Sequence, residues 1–266
     1  MLEAIKKLIT NPKKYIPMAI KMAPQPLYYL FRRTPFFMQS QMDIHPRSRW
    51  YKPDFTEFAG GFQIMGETQT RQICNLEPWD NTRRDMLLLL LRTIITNNIA
   101  GDFAELGVYK GFSAKLIHYY VPERTLHLFD TFEGFTKDCI NTEKNHTGHA
   151  VPGHYFSDTC LPEVQQYIAP MNTNIHFHPG VFPASIPSDF FDKKFAFAHL
   201  DADLYEPTKA ALTFFYPRMT ANGLLVIHDY NSWQGARKAV DEFFIDKLET
   251  PIPMPDKCGS ALIIKG

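Results

Sequence analysis

At 266 residues, 45% hydrophobic and carrying 22 Phe and 12 Tyr, the chain is long and apolar enough for one full domain with additions, or at most two. Its net charge of zero argues against a general nucleic-acid binder, so no nucleic-acid partner is expected. Its four cysteines, Cys74, Cys139, Cys160 and Cys258, include no Cys-x-x-Cys, which fits reduced thiols and not a disulfide framework or a zinc site.

The charge is unevenly spread. Residues 1–50 hold nine Lys/Arg against two acids, a net +7, and the remainder is correspondingly −7. Leu2, Ile5, Leu8 and Ile9 recur at helical spacing beside Lys6 and Lys7, but prolines at 12, 17, 24, 26 and 35 prevent a long helix. Tyr28, Tyr29, Phe31, Phe36 and Phe37 supply aromatic anchors. Two readings stay open: a peripheral contact with a membrane surface or partner through 1–50, or an arm packed on its own domain or on a second subunit of a homo-oligomer. The composition shift predicts a basic, aromatic N-terminal arm or lid over 1–60 and an α/β domain over 61–266. The N-terminus lacks a signal-peptide pattern, and the longest apolar run, Met86 to Leu91, is far too short to span a bilayer, so a cytoplasmic location is expected.

In chain order, Gly60-Gly61 marks a turn, and Asn81 or Thr82 can cap a helix running from Arg83 to about Asn97. Asp102 to Leu106 alternates polar and apolar residues and reads as a buried strand. It breaks at Gly107, and Gly111 and Ser113 open a helix that runs to Val121. Strand, glycine turn and helix together make the first unit of a nucleotide-binding α/β fold. A second strand, Thr125 to Asp130, ends in an acid; Thr131 to Phe135 then turns away. Residues 136–160 read as a polar loop, a flexible lid over a pocket, in which His146, His149 and His154 have no regular ligand spacing. Leu161 to Ile168 is predicted as a helix and Asn174 to His178 as a strand ending at Gly180. The nearly all-apolar Phe195 to Asp201 reads as a strand buried on both faces. A helix follows from Thr208 to Tyr216, with Pro207 suited to its first turn. Asn222-Gly223 turns into a fifth strand, Leu224 to Ile227, which ends in His228-Asp229-Tyr230. A helix over 235–245 and two more strands, at 251–255 and 260–265, close the sheet.

The glycine spacing narrows the ligand. A dinucleotide fingerprint needs Gly-x-Gly-x-x-Gly, but the pattern is Glu105-x-Gly107-x-x-x-Gly111-x-Ser113. An acid two residues before the first glycine repels a pyrophosphate and welcomes a cationic amino-acid end. S-adenosylmethionine (SAM) has an ammonium and a sulfonium and no phosphate. The alternative is a βα turn with incidental glycines. Asp130, at the carboxyl end of the second strand, sits where such folds hold ribose hydroxyls; the alternative is a helix cap. Asp201 and the pair His228-Asp229 end adjacent strands on the same edge, and oxygen ligands with one imidazole suit Mg²⁺ or Mn²⁺. The alternative there is helix-capping acids around a core histidine.

Four stretches, Glu105 to Ser113, Phe129 to Phe135, Leu200 to Thr208 and Gly223 to Tyr230, keep the order and spacing of motifs that resemble the macrocin O-methyltransferase family of class I SAM-dependent methyltransferases. Those enzymes methylate sugar hydroxyls of macrolide and aminocoumarin antibiotics. The resemblance covers about 80 to 266 and leaves 1–60 unmatched. It implies a three-layer, Rossmann-like class I methyltransferase fold, with a seven-stranded, mostly parallel sheet, helices on both faces and an N-terminal extension. It further implies that Glu105, Gly107, Gly111 and Ser113 line the methionine end of SAM. Asp130 and Thr131 would lie at the ribose, and Gly180 and Val181 would flank the adenine. Asp201 would be both general base and metal ligand, with His228 and Asp229 completing the metal set. The family usually has Asp-Asp-Tyr where this chain has His228-Asp229-Tyr230, which weakens a hard Mg²⁺ site. The expected activity is O-methylation of a sugar or glycan hydroxyl. The rivals are methylation of nitrogen, or a SAM-binding, membrane-associated protein without catalysis.

Overall fold

The computed structural model describes Ile73, Leu76, 80–168 and 174–266. The chain divides into two units, Met1–Gly66 and Glu67–Gly266, and every described residue belongs to the second. The expectations for the arm, for Gly60-Gly61 and for Cys74 lie outside the described residues.

The described elements are α1 (Asn81–Thr96), β1 (Asp102–Leu106), α2 (Phe112–Tyr120), β2 (Leu126–Asp130), α3 (Lys137–Thr147), α4 (Leu161–Ile168), β3 (Ile175–Pro179), β4 (Phe195–Leu200), α5 (Tyr205–Phe215), β5 (Met219–Ile227), α6 (Gln234–Phe244), β6 (Ile252–Pro253) and β7 (Ala261–Ile264). Short 3₁₀ turns occupy Ser188–Asp192 and Tyr216–Arg218. The seven strands lie in the order β3-β2-β1-β4-β5-β7-β6. All neighbours from β3 to β5 are parallel, and β7 runs antiparallel to both β5 and β6. This is the mostly parallel α/β sheet expected, and the chain reverses direction across it between β1 and β4, where such folds open a crevice at the carboxyl ends of their strands.

Alternation along the strands sorts the two faces. Ala104, Leu106, Ala198 and Leu200 share a core with α5 residues such as Ala211 and Phe215. The intervening residues put Phe103 against Phe197, ring centroids 5.7 Å apart, and Glu105 opposite His199 in the β1–β4 register. β4 is buried at all six positions, as its apolar sequence requires of a central parallel strand.

Three local expectations differ from the structure. The cap of α1 is Asp80, whose carboxylate accepts from the N–H groups of Thr82 (3.0 Å) and Arg83 (3.1 Å), not Asn81 or Thr82. β5 begins at Met219, so Asn222-Gly223 lies inside the strand, where Asn222 takes a left-handed φ of 63° and donates to Lys265 instead of starting a turn. The stretch read as a polar loop contains α3. Thr136 caps it at Cys139 N (3.2 Å), and Gly148, at φ 75°, closes it. Its lack of an apolar stripe hid it, because only Glu143 on this helix is buried.

Candidate active site

Five parallel strand ends are tied side by side by four bonds. Gly107 N donates to Phe129 O (2.9 Å), Asp201 N to Leu106 O (2.8 Å), His228 N to Leu200 O (2.8 Å) and Gly180 N to Asp130 O (2.9 Å). Each bond carries one of the singled-out positions to the same edge. The glycines there serve packing first. A Cβ on Gly107, whose φ is +85°, would stand 1.8 Å from the Asp201 carbonyl oxygen. One on Gly111 would meet Ile168 of α4 at 2.7 Å. The turn is held by Asp130, whose Oδ2 accepts from Val108 N (2.6 Å) and Tyr109 N (2.9 Å) and whose Oδ1 accepts from Phe132 N (2.6 Å). Asp130 thus stitches β2 to the β1 turn; Oδ2 spends both lone pairs on that turn, and Oδ1 is the oxygen that keeps acceptor capacity.

Two adjoining cavities open at this edge, about 400 Å³ and 380 Å³. Gly107 and Asp201 line both. Asp130, Thr131, Gly180 and Val181 line the larger, as do His228 and Asp229. Ser113 lines the smaller one. Glu105 and Gly111 line neither: Glu105 is 0% exposed, its Oε1 accepting from the Ser113 hydroxyl and from His199 Nδ1 (2.9 Å). Its Oε2 has no hydrogen-bond partner among the described residues. α2 is preceded by Gly111, which offers no side-chain cap, leaving the helix's first backbone N–H groups for an anion.

At the junction of the cavities the Asp201 carboxylate is gripped on both oxygens. Arg83 Nη2 donates to Oδ2 (2.5 Å), and His228 Nδ1 lies 2.7 Å from Oδ1 and 2.9 Å from Asp229 Oδ2. Burial alone would raise the Asp201 pKa, but the His228 imidazolium and then Arg83 hold it far below the usual carboxylate range. Burial likewise works against His228, yet the Asp201 charge pushes its pKa up to about 12. Asp203 behaves oppositely: burial, then the Asp201 charge and its bond to Asp229, push its carboxyl well above the ordinary value. Asp203 and Asp229 both have left-handed backbones, φ 57° and 59°, a conformation that Asp tolerates better than most side chains.

The donor chemistry fits a hard divalent cation. One oxygen each from Asp201, Asp203 and Asp229 lie within 4.8 Å of one another, a three-carboxylate set. His228 Nδ1 lies against two of those carboxylates, and His228, Asp229 and Cys258 form a second group with ligand atoms within the same distance of one another.

Arg83, His199 and Asp203 escaped the sequence reading, as did the aromatic wall of Tyr109, Phe135, Phe156 and Trp233 that lines the larger cavity. Phe156 sits edge-on to Tyr109 at 5.1 Å and to Phe135 at 5.3 Å. For Asp203 a signal existed, in Asp201-Ala-Asp203 after a buried strand. For Arg83 none did, since no spacing links a helix's first turn to a strand end more than a hundred residues on.

A seven-stranded sheet with this order and a crevice across β1 and β4 is the class I methyltransferase architecture. The chain belongs to the macrocin O-methyltransferase family, whose model matches residues 80–262. Among curated relatives, the chain is 29% identical over 167 residues to the mycinamicin III 3''-O-methyltransferase of Micromonospora griseorubida, covering 58% of this chain and 64% of that one. It is 26% identical over 162 residues to the demethyldecarbamoylnovobiocin O-methyltransferase of Streptomyces niveus, covering 56% and 60%. The chain therefore spans less than two thirds of the length of these relatives. Among solved structures, the O-methyltransferase NovP superposes with a TM-score of 0.57 at 24% identity, over 66% of this chain and 76% of that one. The calicheamicin methyltransferase CalS11 gives 0.57 at 19% identity, over 81% and 94%. At these identities the two structures bear on the fold alone.

Proposed function

We propose that this chain transfers a methyl group from SAM to a hydroxyl of a sugar, on a glycosylated natural product or a polysaccharide. The observation that carries the reading is the convergence of the Gly107 turn, Asp130, Gly180 and the Asp201–Asp203–Asp229 carboxylates on two cavities sharing one junction. The relatives' names, a 3''-O-methyltransferase of mycinamicin III and a 4'-O-methyltransferase of a rhamnosyl-tetracenomycin, support the acceptor class.

In this reading the backbone N–H groups at the uncapped start of α2, Ser113 among them, hold the methionine carboxylate, and Glu105, buried behind the cavity, supports that end of the site through the Ser113 hydroxyl. Asp130 and Thr131 take the ribose, and Gly180 and Val181 flank the adenine. SAM would supply an electrophilic methyl; the acceptor oxygen bonds to it in line as the C–S bond breaks, and S-adenosylhomocysteine leaves with the electron pair. Asp201 orients that hydroxyl. Held low by its two cationic neighbours, it is ionised at every working pH but is a weak base. It takes the proton as the C–O bond forms, when the oxygen has become strongly acidic. Positioning therefore carries most of the acceleration, and the proton transfer adds roughly 10²–10⁴. Asp201, Asp203 and Asp229 would hold Mg²⁺ or Mn²⁺, which would polarise the acceptor hydroxyl. The +7 charge of residues 1–50 supports a contact with an anionic surface. Binding to phosphatidylserine vesicles that persists in a chain lacking 1–50 would remove that contact.

The test is methyl transfer from labelled SAM across a panel of glycosides, with and without EDTA. We expect labelled glycoside in the untreated arm and a large loss in chelator. Unchanged turnover in EDTA removes the metal, and label on amines alone overturns O-methylation.

A further inference from the structure

We infer that Arg83 and His199 are positioning residues for methyl transfer. With Glu105 they form a buried hydrogen-bonded line that fixes how the Asp201 carboxylate faces the cavity. The inference rests on Asp201 being the acceptor-facing carboxylate.

Arg83 enters from the first turn of α1, which Asp80 holds in place: one oxygen caps the helix and the other accepts from Lys257 N at 2.7 Å. Its Nη2 reaches Asp201 Oδ2 at 2.5 Å and His199 Nε2 at 3.2 Å. A guanidinium has donors only. His199 Nε2 must therefore be an acceptor, so the ring hydrogen sits on Nδ1, which donates to Glu105 Oε1 at 2.9 Å. Directions along the line are thus fixed from end to end: Glu105 accepts from His199, His199 accepts from Arg83, and Arg83 donates to Asp201. The other tautomer would set an N–H against the guanidinium and leave the His199 lone pair against a carboxylate.

The fold enforces this order. Glu105 and His199 are direct register partners on β1 and β4, and both side chains are 0% exposed. With water excluded, breaking one link strands its neighbour in a low-dielectric interior. The line also has a functional address at each end. Arg83 lines both cavities at their junction, and Glu105 takes the hydroxyl of Ser113 from the first turn of α2. The turn assigned to the methyl donor and the carboxylate assigned to the acceptor therefore share one anchor. That gives Glu105 a task which the acid-before-glycine reading did not include.

The full chain labelled with ¹⁵N-histidine decides the tautomer without an acceptor. NMR should show His199 locked as the Nδ1-protonated form; an Nε2-protonated ring overturns the inference whatever the turnover. His199→Asn and Arg83→Lys then test the consequence, the second keeping the charge while losing the forked reach. Against the glycoside on which the wild type turns over, kcat should fall about 10- to 100-fold, with the SAM Kd by calorimetry within a few-fold and the variants, though lower in thermal midpoint, still folded at the assay temperature. Turnover within twofold of wild type in both variants, while Asp201→Asn is dead, overturns the positioning role alone. An active Asp201→Asn overturns the reading beneath it.

Discussion

Asp201 is the residue on which the chemistry turns, because among the described residues it is the one carboxylate that lines both cavities while carrying a cation on each oxygen. Asp201→Asn keeps the shape and removes the charge, so turnover should fall at least 10²-fold while SAM binding stays within a few-fold; parallel calorimetry and methyl-transfer assays check both. Gly107 is its structural counterpart. Gly107→Ala puts a methyl where the Asp201 carbonyl already stands, and urea denaturation should show a loss of 3 kcal/mol or more, roughly the upper end of single-residue effects. At this scale the sequence told much. Residues that punctuate strand ends, such as Gly107, Asp130 and Asp229, announce themselves because each ends an apolar run. Arg83 and His199 announce nothing: their partners are chosen by how α1 lies across β1 and β4, and a buried histidine in an apolar strand looks like any other core residue.

Among the elements, α3 is the informative one. Glu143, 3% exposed, accepts from Tyr205 N (2.7 Å) at the start of α5, where Leu204 offers no side-chain cap. The same carboxylate presses on α6, since a Cβ on Gly235 would lie 2.3 Å from either oxygen. One acid thus serves the N-terminal end of α5, and its charge suits both helix dipoles. Truncating it strands a buried N–H and unpins α3: Glu143→Ala should cost about 2 kcal/mol by chemical denaturation, with hydrogen exchange accelerated across 137–147. Exchange rates equal to wild type there would count against the pin. This also explains why the segment read as a loop. Its helix is held by one polar side chain docked on two others, and such an anchor leaves no periodic trace, whereas α6, with Ala236, Ala239 and Val240 buried on one face, was legible from its spacing.

For the whole molecule, the sheet order brings chemistry to one edge and a titratable cluster to another region. His127 on β2 and His178 on β3 lie 3.2 Å apart, with His176 stacked on His127. Asp102 and Lys193 face His127, and Asp189 faces His178. Burial holds His127 below its ordinary range and His178 at about 4. Both depressed values mean that stability is intact above about pH 6.5 and is lost as the pH falls towards 4, because the unfolded chain binds those protons first. His178 contributes about 2 kcal/mol to that loss, after discounting its partial contact with water. His178→Phe, which preserves stacking on Phe129, should flatten the stability profile between pH 6.5 and 4; an unchanged slope would assign the loss elsewhere. The mostly parallel, seven-stranded sheet was legible from the α/β alternation and the family resemblance, but a three-histidine cluster on adjacent strands depends on register, which no single strand specifies.

The central claim is that the crevice at the β1, β2 and β4 ends accepts SAM. Titration calorimetry of the full chain tests it without knowledge of the acceptor. The account predicts a saturable one-to-one heat with SAM and none with a nicotinamide dinucleotide or a nucleoside triphosphate. No heat with SAM, alongside tight binding of either of the others, would contradict it.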